Sequence, residues 1–510
     1  MTFRPYQPRF VDAMLGALVE FDRVLGVAPT GSGKTVMAGE MARRCLPFGP
    51  VLFLADAQEL VKQAADKLGI WAGTIPQVEM AESEAGPGDR LVVATTQSMA
   101  RRLEKWPADY FSLVIVDEAH RNTLGTQAQK VLGHFASAQV AGITATPFRS
   151  DKQQLATFYQ TIPCEISLVE LIKEGYLARI VIQSVPVRVD LSGVRTRSGD
   201  YREEDLGDAI EPHLAECAEI LAEHARGRRT VVFLPLIETS KRFVEACREI
   251  GLRAVHVDGE DRTELETFRR READIICNAS LLTTGWDQPD VDCVMVLRPT
   301  KSLVLYSQMV GRGTRIYPGK DHLLVLDPLF LSDSMDLIRP ARLIAQTPQQ
   351  ARSMEEVLAR GEQMDLLEVE AVAAAERKRA LAEKLAEQAQ RNMRVVDAIE
   401  FAVGLGEETL LDYEPTMGWE REPVSPKQAA ALERMGFSLQ RVTCKGHANK
   451  LLDLLFKRRD LGLATPKQVK WLVKFGYPDP YAATFAEASD FLDRQFNRRS
   501  RYEAMAEEPA

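Results

Sequence analysis

The chain contains no Cys-x-x-Cys pair and no Cys/His cluster at zinc-ligand spacing, which excludes a zinc-stapled module. Its seven cysteines (45, 164, 217, 247, 277, 293 and 444) are scattered, so reduced and mostly buried thiols are expected rather than a disulfide framework. No apolar run reaches the length of about eighteen residues that a membrane helix needs, so no membrane partner is expected. The opening residues, Met1-Thr-Phe-Arg-Pro-Tyr-Gln7, lack the basic-then-apolar order of a secretory leader, and the expected location is cytoplasmic. There is also no excess of positive charge. The net charge is −9, which weighs against a protein that merely coats a polyanion. No convincing Pro-Asp…(Asp/Glu)-x-Lys nuclease constellation is present, so any nuclease activity would have to come from a partner.

What is present is an ordinary globular composition spread over 510 residues, with 45% hydrophobic and 27% charged side chains. That length suggests three or four units. Residues 1–170 contain short runs rich in Val, Ile and Leu: Val24–Val27, Val51–Leu54, Leu91–Ala94, Leu113–Val116 and Val140–Ile143. They show little polar alternation, as expected of strands buried on both faces of a parallel sheet. Intervening stretches such as Gln58–Leu68 have the length and composition of crossover helices. Residues 171–345 repeat the style with Thr230–Leu234, Ala254–Val257, Asp274–Cys277, Cys293–Leu297 and Leu323–Leu326. Two α/β domains are therefore expected in tandem. Residues 346–422 form a helical extension and linker: Ser353–Ala402 is rich in Ala, Glu, Arg and Leu, has no Pro and sustains no heptad.

Residues 423–500 are a duplicated module with an offset of forty. Ser425-Pro-Lys-Gln428 returns as Thr465-Pro-Lys-Gln468, Leu432 and Gly436 as Leu472 and Gly476, and Ala448, Leu452, Asp453, Phe456, Arg458 and Arg459 as their counterparts forty residues on. The physical reading is an N-cap Ser or Thr, Pro at the first helical position, a Gln closing a capping box, and Gly at the left-handed position that ends the helix. This module carries fourteen Lys and Arg against seven Asp and Glu. Its basic face and terminal Arg-Arg pairs would suit a phosphate backbone, or simply solvent and a helix dipole. Residues 501–510 are a tail.

Two motifs carry chemistry. Ala28-Pro-Thr-Gly-Ser-Gly-Lys-Thr35 follows a buried strand and precedes a helix. Thr30, Gly31, Ser32 and Gly33 can curl so that backbone N–H groups face phosphate oxygens, Lys34 reaches the outer phosphates, and the Thr35 hydroxyl is offered to Mg²⁺. Asp117-Glu-Ala-His120 ends the run Leu113–Val116, about eighty residues later. In a doubly wound sheet that position lies beside the phosphate loop. Asp117 is the candidate for the Mg²⁺ shell and Glu118 for the base that activates water. Val255-His-Val-Asp-Gly259 is better explained as a strand-end turn than as a contact surface.

With these motifs in this order, the chain resembles a DEAH-type superfamily-2 helicase, over roughly residues 3–330. Arg4-Pro-Tyr-Gln7 resembles the motif in which Gln7 would read the adenine edge. Asp56–Leu60 and Thr95–Ser98 resemble segments that touch nucleic acid. Thr144-Ala-Thr-Pro147, with His120 and Gln308, resembles the coupling elements, which places Thr144 and Thr146 among them. Thr283–Pro289 implies ribose contacts for Gly285 and Asp287. Gln308-Met-Val-Gly-Arg-Gly-Thr-Arg315 implies arginine fingers at Arg312 and Arg315. The flavour is that of excision-repair translocases, type III restriction motors and phage-type helicases, hence a bacterial or phage-infected cell. The resemblance implies two RecA-like parallel-sheet domains ahead of the helical segment and repeat, with ATP and Mg²⁺ in the cleft. It implies a nucleic-acid partner, DNA favoured over RNA, with the C-terminal repeat left for nucleic acid or a protein. The alternatives are an RNA helicase, the motor of a restriction complex, and a nucleic-acid-binding scaffold with weak ATPase.

Overall fold

The computed structural model describes the chain apart from residues 1–2, 57, 146–154, 198, 259–262, 280–281, 283–285, 287, 332–336, 346–347, 361–362, 377–395, 398–409, 411–412, 414, 416–417, 436, 440–441 and 507–510. It divides into two compact units, residues 1–371 and 372–510.

The first unit contains two parallel sheets. The first is formed by β1 (Arg23–Val27), β2 (Val51–Ala55), β3 (Gln77–Glu79), β4 (Leu91–Thr95), β5 (Leu113–Asp117), β6 (Gln139–Thr144) and β7 (Thr161–Glu165), in the order β3-β4-β2-β5-β6-β1-β7. Strands β2 and β4 are buried along their whole length, which is why they read as unbroken apolar runs. The helix Tyr6–Ala17 contributes Phe10 and Met14 to the core, both fully buried.

A strand β8 (Arg179–Asp190) opens the second sheet, and the small hairpin β9 (Thr196–Arg197) and β10 (Asp200–Tyr201) follows. The sheet continues with β11 (Thr230–Phe233), β12 (Ala254–Val257), β13 (Ile275–Asn278), β14 (Cys293–Val296), β15 (His322–Leu331) and β16 (Met364–Asp365), in the order β12-β13-β11-β14-β15-β8-β16. All pairs are parallel except β16, which runs antiparallel to β8. All ten apolar runs lie in strands or overlap them. The second sheet reaches past residue 345: β16 and the helix Pro348–Leu358 belong to the first unit. Of the stretch expected to be helical, residues 353–358 and 366–376 are helical, Met364–Asp365 and Val396–Asp397 are short strands instead, and 361–362, 377–395 and 398–402 lie outside the described residues.

All seven cysteines are free thiols, five of them buried. Burial pushes the Cys217, Cys247 and Cys293 thiols up to about 12, so they stay protonated at neutral pH. Among the described residues no helix is long and apolar enough to cross a membrane.

The second unit is built on two helix pairs, Pro426–Arg434 with Lys445–Asp460 and Pro466–Lys474 with Phe485–Ala506. Leu432, Ala448 and Leu452 share one core with their counterparts Leu472, Ala488 and Leu492. Both capping boxes are formed: Ser425 with Gln428, and Thr465 with Gln468. Each glutamine does more than cap. Gln428 Nε2 donates to Lys445 O at 3.2 Å and Asn449 Oδ1 at 2.5 Å, and Gln468 Nε2 to Phe485 O at 3.2 Å and Ser489 Oγ at 2.9 Å. One amide therefore holds the start of both helices of its pair, at positions again forty apart. Gly476 takes φ 69° at the helix end, as the sequence suggests, while Gly436 lies outside the described residues.

Arg458 is buried. Its guanidinium donates to Tyr481 O at 2.9 Å and Ala464 O at 3.1 Å, so it ties the first pair to the loops of the second rather than facing solvent. Arg459 is exposed beside Asp460. Gln468→Ala should cost the second unit about 1–2 kcal/mol, from the lost cap and clamp, and Gln428→Ala a similar amount. Denaturant unfolding followed by circular dichroism would measure both.

Candidate active site

Three neighbouring strands deliver the site. In the first sheet β6 lies between β5 and β1, with Val27 opposite Thr144 and Asp117 opposite Ile143. The loop after β1, the acidic end of β5 and the end of β6 therefore meet at one edge. Ala28 N–H donates to Thr144 O at 2.9 Å, which docks the start of the loop onto β6.

The loop has the backbone that a phosphate cradle requires. Gly31 and Gly33 both sit at φ 86°, in the left-handed region that favours glycine. Gly33 precedes the helix Lys34–Cys45 without a side-chain cap, so the first N–H groups of that helix face the loop. The Thr30 and Ser32 hydroxyl oxygens are inaccessible to solvent and have no hydrogen-bond partner. Buried orphan hydroxyls beside uncapped N–H groups fit a bound phosphate chain.

Lys34 Nζ lies 2.7 Å from Glu118 Oε1, with both side chains largely buried. Burial alone would raise the Glu118 carboxyl, but Lys34, His120 and Arg312 outweigh it and hold the group below its usual range. Asp117 responds the other way. Burial and the neighbouring Glu118 charge push it up to about 6, against the opposing pull of Lys34. Asp117 Oδ1 accepts Glu118 N–H at 3.0 Å, and Asn122 Nδ2 donates to Asp117 O at 2.7 Å. Glu118 itself has φ 45° and ψ 54°, a left-handed conformation rare for a residue with a side chain. His120 Nδ1 lies 2.9 Å from Thr144 Oγ1 and 3.5 Å from Glu118 Oε2. The acid, the histidine and the end of β6 thus form one chain of contacts. Thr146 lies outside the described residues.

Gln7 is buried beneath the loop. Its Nε2 donates to Ser32 O at 3.0 Å and its Oε1 accepts Arg4 N–H at 3.0 Å, so both amide atoms engage protein. Tyr6, to which the sequence assigned no role, donates its hydroxyl to the same Ser32 carbonyl at 2.7 Å.

The second sheet closes the cleft. The helix Leu303–Gly311 carries Gln308, which is buried, and leads into the arginine loop. A methyl group on Gly311 would stand 2.7 Å from Thr30 Cβ, and one on Gly31 would stand 3.0 Å from Leu177 and 3.3 Å from Thr314 Oγ1. The phosphate loop and the arginine loop are therefore in direct contact. Arg312 is buried, donates to Trp286 O at 2.5 Å, and its charge reaches Glu118. Arg315 is half-buried on the same loop. Gly285 and Asp287 lie outside the described residues, although Trp286 between them anchors Arg312.

Thr95 and Thr96 are buried at the end of β4. Thr95 caps the following helix through Ser98 N–H at 3.1 Å, while Asp56 at the end of β2 is exposed. His256 is occupied between Ser240 Oγ at 2.7 Å and Asp258 Oδ2 at 3.2 Å, in keeping with a strand-end turn. Among the described residues no group of three His, Cys, Asp or Glu could hold a metal unaided. A Mg²⁺ at Thr35 and Asp117 would rely on phosphate oxygens and water for its other ligands.

Two stretches of the chain match known domain families. Residues 1–149 match the family described as type III restriction enzyme, res subunit, and residues 212–317 match the helicase conserved C-terminal domain. The IRC3 protein of Saccharomyces cerevisiae is 26% identical over 353 residues, covering 64% of this chain and 51% of that protein. The 51.5 kDa protein of a Lactococcus phage (isolate 7-9) is 29% identical over 306 residues, covering 58% and 64%. The solved structure of the ATP-dependent Type ISP restriction-modification enzyme LlaBIII bound to DNA shares the fold, with TM-score 0.53 at 17% identity, covering 90% of this chain and 42% of that one. The chain spans between about half and two-thirds of the length of these curated relatives. The two matches, one over each sheet domain, place the chain among the superfamily-2 helicases. Within that superfamily, the first domain falls in the res-subunit family and the second is a helicase C-terminal domain.

The Lys34–Glu118 pair is testable without ligand. A double-mutant cycle of Lys34→Met and Glu118→Gln should return a coupling free energy of about 1–3 kcal/mol in unfolding measurements, as expected for a mostly desolvated ion pair. A value near zero would contradict the geometry.

Proposed function

We propose that the chain is an ATP-driven DNA motor, a helicase or translocase that couples hydrolysis at one cleft to movement along the strand. The observation that carries this reading is the direct contact between the phosphate loop and the arginine loop. A nucleotide bound there would be held from both sides. ATP then favours the closed cleft, and loss of the γ-phosphate releases it.

Each residue has a role in this reading. Thr30, Gly31, Ser32 and Gly33 line the phosphates, Gln7 orients the loop and the base, and Gly285 with Asp287 faces the ribose. Lys34 leaves Glu118 for the γ-phosphate when ATP binds. Glu118 thereby loses its strongest counter-charge, becomes the better base, and takes a proton from the attacking water. Mg²⁺, when bound, neutralises charge on the phosphate oxygens beside Thr35 and Asp117. Arg312 and Arg315 stabilise charge on the transferring phosphoryl group. His120, Thr144, Thr146 and Gln308 pass the change in the cleft to the surfaces that hold the strand.

DNA is the preferred track, supported by likeness to restriction-type subunits and to a DNA-bound restriction enzyme. The basic duplicated module, residues 423–500, would hold the same DNA or a partner protein. The phage relative supports a bacterial or phage-infected cytoplasm as its setting.

ATP turnover is expected to rise at least about tenfold with DNA, to respond less to RNA, and to vanish in Lys34→Ala. Assays across single-stranded, duplex and forked DNA and RNA decide the track. Equal rates for wild type and Lys34→Ala would sink the enzyme reading. Removing residues 423–510 should weaken DNA binding and flatten its salt dependence while sparing basal turnover, whereas unchanged binding would assign the repeat elsewhere.

A further inference from the structure

We propose that Lys320 is a positioning residue for the arginine loop, holding Arg312 and Arg315 in register with the phosphate loop. The inference rests on the reading that these arginines act on bound ATP.

Lys320 follows Gly319, φ 81°, in a turn closed by Lys320 N–H donating to Tyr317 O at 3.0 Å. Its Nζ donates to Gly313 O at 2.5 Å, Arg315 O at 2.8 Å and Val291 O at 2.5 Å. An ammonium group has three N–H bonds, and three carbonyls are in place to receive them. Two of those carbonyls flank Thr314. The Thr314 carbonyl is itself taken by Ala178 N–H at 2.7 Å, where the chain enters β8. Three consecutive carbonyls of the arginine loop are thus held, two by Lys320 and one by the strand that begins the second sheet. The third Lys320 acceptor, Val291 O, lies on the segment that follows Trp286, and Trp286 O anchors Arg312. One ammonium therefore joins the loop that carries the arginines to the segment that orients one of them.

This contact set requires the charged form. A neutral amine keeps only two N–H bonds and turns a lone pair toward one carbonyl. Burial lowers the Lys320 ammonium to about 8, and the Arg315 charge adds to that effect, while Asp292 and Asp290 oppose it. The clamp is therefore made below that pH and loosens above it.

The test uses the full-length protein with Lys320→Met, which keeps length and removes donors, and Lys320→Arg. Turnover with ATP and DNA is followed from pH 6.5 to 9.5, and amide deuterium exchange is followed over residues 311–317. In Lys320→Met, kcat is expected to fall roughly ten- to hundredfold with KM for ATP little changed, because misplacement by about 1 Å is enough for such a loss. Exchange over 311–317 should quicken, and the alkaline fall in wild-type turnover near pH 8 should disappear. Lys320→Arg should recover part of kcat. Wild-type kcat, exchange and alkaline limb in Lys320→Met would overturn the proposal. Should that variant fail to fold, wild-type protein alone decides: exchange over 311–317, relative to a distant helix, either accelerates above pH 8 or refutes the clamp. Arg312→Ala and Arg315→Ala separate the two levels. If both retain turnover, the reading of the arginine loop fails. If both lose it while Lys320→Met does not, only the positioning role fails.

Discussion

A strand buried on both faces has no room for polar chemistry except where it ends. That constraint organises the first unit. Because β5, β6 and β1 are adjacent and parallel, their carboxyl ends bring together residues that are distant in the chain. Lys34 meets Glu118, His120 meets Thr144, and Ala28 docks on Thr144, each as a result of strand order rather than of any local preference. The second sheet repeats the arrangement and offers the arginine loop at its own edge. The arginine loop meets the phosphate loop where Gly311 faces Thr30.

Much of this was legible in the chain, for a physical reason. The phosphate loop and the acidic tetrapeptide are local: consecutive residues carry the chemistry, and a buried strand before each reports its setting. The ten core strands are visible because double burial demands unbroken apolar runs. The strand β8 escaped because its buried Val185, Val187 and Val189 are separated by Pro186 and Arg188, which break the apolar run. The strand β7 escaped because it is only half-buried at the sheet edge. Lys320 and Tyr6 act by reaching backbone carbonyls, which leave no mark in a sequence. Arg458 shows the same limit. Its pattern allowed a dipole partner or a phosphate contact, and only the fold reveals that it is buried against Ala464 and Tyr481 carbonyls.

The duplicated unit shows how a repeat can be read in physical terms. The identities are not spread evenly over the surface. Leu432, Ala448 and Leu452 with their counterparts make the shared core, and the two glutamines each bind four neighbouring groups. Duplication has therefore preserved the parts that decide the fold of each pair, and Arg458 joins one pair to the next.

Glu118 is held in a backbone conformation that an ordinary side chain resists, at a cost of roughly 1–2 kcal/mol. Glycine or asparagine would relax that backbone but would leave the largely buried Lys34 ammonium without its carboxylate partner. The strained turn is thus offset by the ion pair it makes possible: bending the backbone at this one residue is what brings an acid from the end of β5 to a lysine at the start of a helix.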